Sequence, residues 1–225
     1  MPRMKIILLF WVVCVAAQAS ASTTFRKVLF LGNSITKHGP KADIDWAGNW
    51  GMAASAEPKD FVHLVTNALA KKQGATPEVL VQNIADFERS YADYDIAGKL
   101  KDAVAFKADL VIVAIGENVP ALKSSEETVR LQESITRLLK MLKADNNPTV
   151  LVRSCFWVNA VKDEALQKAC NAVHGLYVNI SDLGKVEANF ARSERPFKNV
   201  GVANHPGDQG MAAIAEAMLN ALPKQ

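Results

Sequence analysis

The sequence predicts a single α/β domain built on a central five-stranded parallel sheet with helices on both faces. Short runs rich in Val, Ile and Leu alternate along the chain with longer amphipathic stretches, the pattern of repeated strand–helix units. The strand-like runs lack the in–out alternation of a half-exposed sheet, as strands covered on both sides should. A chain of 225 residues, 49% of them apolar, suits one core of ordinary size and calls for no second domain. Together these describe a flavodoxin-like, three-layer domain.

The strands are expected at Lys27–Leu31, Glu78–Gln82, Leu110–Ile115, Thr149–Arg153 and Leu176–Asn179. Between them, helical periodicity covers Lys59–Lys72, Ile96–Phe106, Ser125–Lys143 and Lys162–His174, with a final helix from Asp208 to Leu222. Ser125 reads as an N-cap with Glu127 and Thr128 in the first turn, and Asn146-Asn147-Pro148 stops that helix before the fourth strand. Two long irregular segments remain, Thr36–Pro58 and Ser181–Gly207. Loops of that length inside a compact domain are usually functional.

Residues 1–21 read as a secretory signal. Arg3 and Lys5 form a basic start, Ile6 to Ala17 are almost wholly apolar, and the small residues Ala17, Ala19 and Ala21 follow. The apolar run falls short of the roughly 20 residues needed to span a bilayer, so the domain at 22–225 is expected to be secreted or periplasmic, with no membrane span after the signal is removed. Lys plus Arg number 26 against 23 Asp plus Glu, which gives no electrostatic footprint for nucleic acid. Cys155 and Cys170 either pair, as an exported protein permits, or serve as small buried hydrophobes. The histidines His38, His63, His174 and His205 are scattered without a metal-ligand spacing, so neither metal nor cofactor is expected.

In an open parallel sheet the ligand site lies beyond the carboxyl ends of the strands. Four segments occupy such places: Leu31-Gly-Asn-Ser-Ile-Thr36, Asn83-Ile-Ala-Asp-Phe-Glu88, Ile115-Gly-Glu-Asn118 and Ala203-Asn-His-Pro-Gly-Asp-Gln-Gly210. Acyl transfer needs a serine oxygen activated by a neutral imidazole, with hydrogen-bond donors aimed at the oxyanion that develops on the substrate. Ser34 is the candidate nucleophile and His205 its base. The Asn118 amide and backbone N–H groups at Ser34 and near Asp86 to Glu88 are the candidate oxyanion donors.

These segments resemble the blocks of the SGNH or GDSL-type esterases and lipases. The first resembles Gly-Asp-Ser with Asn33 in place of the acid, the third resembles Gly-x-Asn-Asp through Gly116 and Asn118, and the last supplies His205 followed by proline. The blocks fall in the family's order and span nearly all of the presumed mature chain. The resemblance implies a serine hydrolase of ester bonds. Family members usually carry an aspartate three residues before the histidine, where this chain has Val202. What orients His205 is therefore open between a backbone carbonyl, which would make a Ser–His dyad, and a substitute carboxylate, for which Glu117 is the better candidate; Asp208, at the start of a helix, is expected to cap N–H groups. Trp46 and Trp50, set among glycines after Ser34, either border the substrate, since indole faces stack on sugar rings and acyl chains, or pack their loop onto the domain.

The function expected is hydrolysis of a small-molecule or carbohydrate ester with a short acyl chain, acetyl on carbohydrate among the candidates. The competing readings are a non-catalytic glycan- or ligand-binding protein on the same fold and a lipase or thioesterase for longer acyl chains. A nucleotide or flavin carrier is disfavoured because the first turn lacks a glycine-rich phosphate loop.

Overall fold

The computed structural model describes residues 24–223; the expected signal at 1–21 lies outside them. Five parallel strands, β1 (Lys27–Gly32), β2 (Glu78–Asn83), β3 (Leu110–Ala114), β4 (Thr149–Arg153) and β5 (Leu176–Val178), lie in the order β2-β1-β3-β4-β5. The fold is the three-layer α/β sheet expected from the sequence. Each predicted strand is present within a residue at either end.

The absence of alternation in the strands has a direct structural reading. Leu29, Leu31, Val111, Val113, Val150 and Val152 face one apolar layer, whereas Val28, Phe30, Leu110, Ile112 and Leu151 face the other. On the first face lie α2 (Ala85–Arg89), α3 (Ile96–Lys99), α4 (Lys101–Ala105), α5 (Ser125–Lys143) and α6 (Ala160–Asn171). On the second lie α1 (Phe61–Gln73) and α8 (Asp208–Ala221). Helix α5 shows why such a segment docks: Leu131, Ile135, Leu138, Leu139 and Leu142 recur at helical spacing and are all buried, each worth roughly 1.5–3 kcal/mol of transfer free energy. No helix among the described residues is long and apolar enough to cross a membrane.

Helix boundaries differ from expectation where local chemistry intervenes. The cap of α5 is Ser124 rather than Ser125, its Oγ accepting the Glu127 N–H at 3.2 Å. The helix expected over Ile96–Phe106 breaks at Leu100, whose φ of −113° and ψ of 21° leave the helical basin; Gly98 just before it weakens the helix. The segment from Lys162 is helical from Ala160, because Asn159 accepts the Lys162 N–H and starts the helix earlier. Asp208 does not cap α8. Its carboxylate turns to the Ser55 N–H and hydroxyl and to Lys59, and the first N–H groups of α8 are taken by Glu194, which accepts from Asp208 and Gln209 at 2.8 Å each.

Cys155 and Cys170 are free and buried. Burial pushes both thiols up, that of Cys170 to about 11, so they are packing residues and not bridge partners or nucleophiles.

The sheet order places the topological switch between β1 and β3. The chain leaves β1 for β2 on one side and returns to β3 on the other, which opens a crevice at their carboxyl ends. Both strands end in positions that need glycine. A Cβ on Gly32 would lie 1.8 Å from Thr36 Oγ1 and 2.9 Å from the Ala114 carbonyl. Gly116 sits at φ 125°, and a Cβ there would meet Cys155 Sγ at 2.5 Å.

Candidate active site

Directly after β1 the Asn33 carbonyl accepts from both Thr36 N–H (3.0 Å) and Lys37 N–H (2.9 Å), and the Asn33 side-chain oxygen accepts from Ile35 N–H (3.1 Å). The result is a tight turn with Ser34 at the mouth of the crevice. His205 reaches the same place from the far end of the chain. A short helix, α7 (Val200–Ala203), is capped by Asn199. His205 follows it, tied by its own N–H to the Val202 carbonyl (3.0 Å) and by its carbonyl to the Ala191 N–H (2.9 Å).

Ser34 Oγ lies 2.8 Å from His205 Nε2, and His205 Nδ1 lies 2.7 Å from the Gly201 carbonyl oxygen. A carbonyl can only accept, so the proton sits on Nδ1 and the Nε2 lone pair faces the serine hydroxyl. Burial holds the imidazole below its ordinary pKa, against the opposing pull of the Gly201 hydrogen bond and the Glu117 charge. It is therefore neutral near pH 7, the form a general base requires. The indole of Trp157 stands perpendicular to the imidazole, with centroids 5.2 Å apart, and its Nε1 donates to the Asn204 carbonyl. Trp157 was not evident as a site residue from the sequence, although its place just after β4 is a signal of the same kind that picks out Ser34.

Glu117 does not orient His205. Its Oε1 accepts from Arg153 Nη1 (2.6 Å) and the Phe156 N–H (2.9 Å), and its Oε2 accepts from Asn33 Nδ2 (2.7 Å). The side chain turns beneath the sheet end because Arg153, itself fully buried, requires a counter-charge there. Burial raises the Glu117 carboxyl, but the Arg153 charge and the converging donors prevail and hold it below its ordinary value. The position three residues before the histidine is occupied by buried Val202, packed with Trp46, Met52, Ala53 and Ala191. An arginine ending an otherwise apolar strand is the sequence signal that would have given Glu117 its partner.

Among the candidate oxyanion donors, Ser34 and Asn118 line an open cleft of about 380 Å³ with His205, Met52, Val202 and Asp86. The Glu88 N–H is not available to it, since it donates to the Ile84 carbonyl inside the turn of α2. What Glu88 brings is a fully buried carboxylate beneath the cleft, which accepts from Asn118 Nδ2 at 2.8 Å. Burial and the nearby Glu117 charge raise its pKa, opposed by the hydrogen bonds from Asn118 and Gly116.

Trp46 and Trp50 do not border the cleft. Trp46 is 7% exposed, donates to the His38 carbonyl at 3.0 Å, and meets Trp50 edge to face at 5.6 Å. Trp50 donates to the Ala54 carbonyl. The two indoles fold the loop after Ser34 onto the domain because burying them against Met52, Ala53 and Val202 is what gives that irregular segment a core of its own.

No family model matches the sequence, and no curated protein matches it. Solved structures do share its fold. A candidate GDSL-like lipase from Parabacteroides merdae is 17% identical with a TM-score of 0.56, the match covering 89% of this chain and 96% of that one. Another from Bacteroides uniformis is 10% identical with a TM-score of 0.56, over 88% and 95%. A family two carbohydrate esterase from Cellvibrio japonicus is 18% identical with a TM-score of 0.51; the match covers 89% of this chain but 61% of that longer one. The likeness is one of fold, that of the GDSL-like and carbohydrate-esterase domains.

Proposed function

We propose that this protein is an exported serine esterase that hydrolyses short acyl esters, acetyl on carbohydrate among them, through a Ser34–His205 dyad whose histidine is oriented by a backbone carbonyl. The observation that carries the reading is the relay from Ser34 Oγ to His205 Nε2 and from Nδ1 to the Gly201 carbonyl. In the reaction Ser34 Oγ attacks the ester carbonyl as its proton passes to Nε2. The tetrahedral oxyanion is met by the Ser34 N–H, the Asn118 amide and the Asp86 N–H. Collapse expels the alcohol, which takes the proton from Nε2, and leaves Ser34 acylated. Water, deprotonated by the same Nε2, then attacks the acyl carbonyl, releases the acid and restores the hydroxyl.

The modest size of the cleft, about 380 Å³, and the apolar Met52 and Val202 in its lining support a short acyl group. Asn83, Arg89 and Asn199 on the rest of the lining suit a leaving group rich in hydroxyls. The shared fold with a carbohydrate esterase points the same way. Export rests on the basic, apolar and small-residue order of residues 1–21.

The test is turnover of a chromogenic acetate ester and of acetylated oligosaccharides by the mature chain, beside Ser34→Ala. Turnover that disappears with Ser34 supports the reading. A protein inert on a broad ester panel would be a binding protein, and a rate that climbs with acyl length would make it a lipase or thioesterase.

A further inference from the structure

Glu88 has no step in that chemistry, yet its carboxylate is where the parts of the site meet. Oε1 accepts from the backbone N–H groups of Gly116 and Asn118, the latter at 3.2 Å, and from Asn33 Nδ2 at 3.2 Å, while Oε2 accepts from Asn118 Nδ2 at 2.8 Å. Asn33 forms the turn that presents Ser34, and its side-chain oxygen holds the Ile35 N–H at 3.1 Å. Asn118 carries the amide assigned to the oxyanion. Gly116 sets the path of the chain between β3 and that amide, at a φ of 125°. Every donor on Glu88 therefore belongs to one wall of the reaction or the other, and the side chain that gathers them is 0% exposed.

The chemistry of the acceptor matters as much as its place. An amide can present either its oxygen or its nitrogen, and nothing intrinsic to Asn118 selects one. An ionised carboxylate accepts only. It draws Nδ2 toward itself, uses one of its N–H bonds, and fixes the side-chain rotation that directs the other. Glutamine in the same place would keep an acceptor oxygen for the donors at Oε1 but set an NH2 group against Asn118, whose amide would have to turn its oxygen inward to receive it and its N–H groups away from the present direction. A buried acid whose pKa burial and Glu117 both push up is a costly choice, offset by the four N–H donors it satisfies, which an apolar residue would leave unpaired.

We propose that Glu88 is a positioning residue for the ester hydrolysis inferred above: its carboxylate ties the Asn118 amide and the Asn33 turn to one anchor, and so sets the spacing between Ser34 Oγ and the oxyanion donors. This rests on the esterase reading. Glu88 touches neither substrate nor the reacting atoms and acts through Asn118 and Asn33.

The test is steady-state kinetics on a chromogenic acetate ester with Ser34→Ala, Asn118→Ala, Glu88→Gln and the double variant Glu88→Gln/Asn118→Ala, each checked for folding by thermal unfolding. Displacing a reacting group by the order of 1 Å costs about 100-fold, so Glu88→Gln should lower kcat by about that factor and leave KM nearly unchanged. The double variant should lose less than the two single losses multiplied together, because part of the carboxylate's effect passes through that amide and the rest through the Asn33 turn. A folded Glu88→Gln with wild-type kcat overturns the inference, and so do losses that multiply in the double variant. Turnover that survives in Ser34→Ala instead removes the esterase reading beneath it. If Glu88→Gln does not fold, Glu88→Asp carries the test: it keeps the charge but withdraws the anchor by one methylene, with the same loss in kcat expected and wild-type kcat again decisive.

Discussion

His205 donates its Nδ1 proton to the backbone carbonyl of Gly201 across 2.7 Å, four positions back along the chain, where a carboxylate side chain would carry a full negative charge. A carbonyl dipole selects the same tautomer as an acid would but stabilises the imidazolium less. The consequence is a base that depends on burial to stay neutral and gains little help once protonated.

The pH dependence follows from that arrangement. The imidazole is held below its ordinary 6.5, chiefly by burial, and the competent form is the neutral one. Activity is present above the lowered pKa and lost only as pH falls through it, so the acid limb of kcat/KM should lie below 6.5. The same shift bears on stability: the unfolded chain binds this proton more readily, so the His205 contribution is present above the ordinary pKa and lost as pH falls. A pH–rate profile checks the first point, and His205→Ala should remove the limb together with roughly 10⁴- to 10⁶-fold of the rate.

Asn33 cannot be exchanged for the aspartate of the Gly-Asp-Ser pattern. Its Nδ2 lies between two buried carboxylates, 3.2 Å from Glu88 and 2.7 Å from Glu117, and Asn33→Asp would put a third acid among them. The variant should be destabilised by several kcal/mol, and the defect should grow as pH rises. Crowding raises the folded-state pKa of the trio above its unfolded value, so the stability that depends on the shared proton is lost as pH passes through the raised value. Melting temperature against pH for both proteins is the measurement, and a variant equal to the parent at neutral pH would contradict it.

Arg153 and Glu117 form a buried pair at 2.6 Å, with both side chains at most 1% exposed. Arg153→Met leaves Glu117 without its counter-charge and should cost about 3–5 kcal/mol, whereas removing both charges with Arg153→Met/Glu117→Gln should cost less than the single change. Denaturant unfolding of the single and double variants decides it.

Trp46 serves its loop. Trp46→Ala removes a buried indole and its hydrogen bond to His38, and should lower stability by about 3–5 kcal/mol while KM for a small acetate ester in the folded fraction stays near that of the parent. A large rise in KM without loss of stability would return the indole to the substrate.

The sheet was legible because β1, β3 and β4 are apolar on both faces and bounded by turn chemistry; Val28 and Leu29, for example, point to opposite layers and both demand burial. The placement of Ser34, Asn118 and His205 around one crevice followed from the rule that ligands lie at strand carboxyl ends. What was not legible has physical reasons. The Gly201 carbonyl that holds His205 is a backbone atom, and every residue has one. Glu88 and Glu117 read alike as acids near strand ends, and only the third dimension separates the one under Asn118 from the one bound to Arg153. Trp46 and Trp50 carry a composition that suits either a binding face or a loop core, and the choice depends on what lies opposite them.

The small cluster in which Trp46, Met52 and Ala53 meet Ala191 and Val202 joins the segment after Ser34 to the segment before His205, and Arg195 adds a hydrogen bond to the Ala53 carbonyl. The stretch that follows the nucleophile and the stretch that precedes the base are thus joined through a small apolar cluster of their own beside the main sheet core. A small cluster of this kind is expected to open locally at a lower free energy than the whole domain. On heating, catalytic competence should decay before the sheet unfolds, and the amides of both loops should exchange with solvent at a common rate while those of β1 and β3 remain protected.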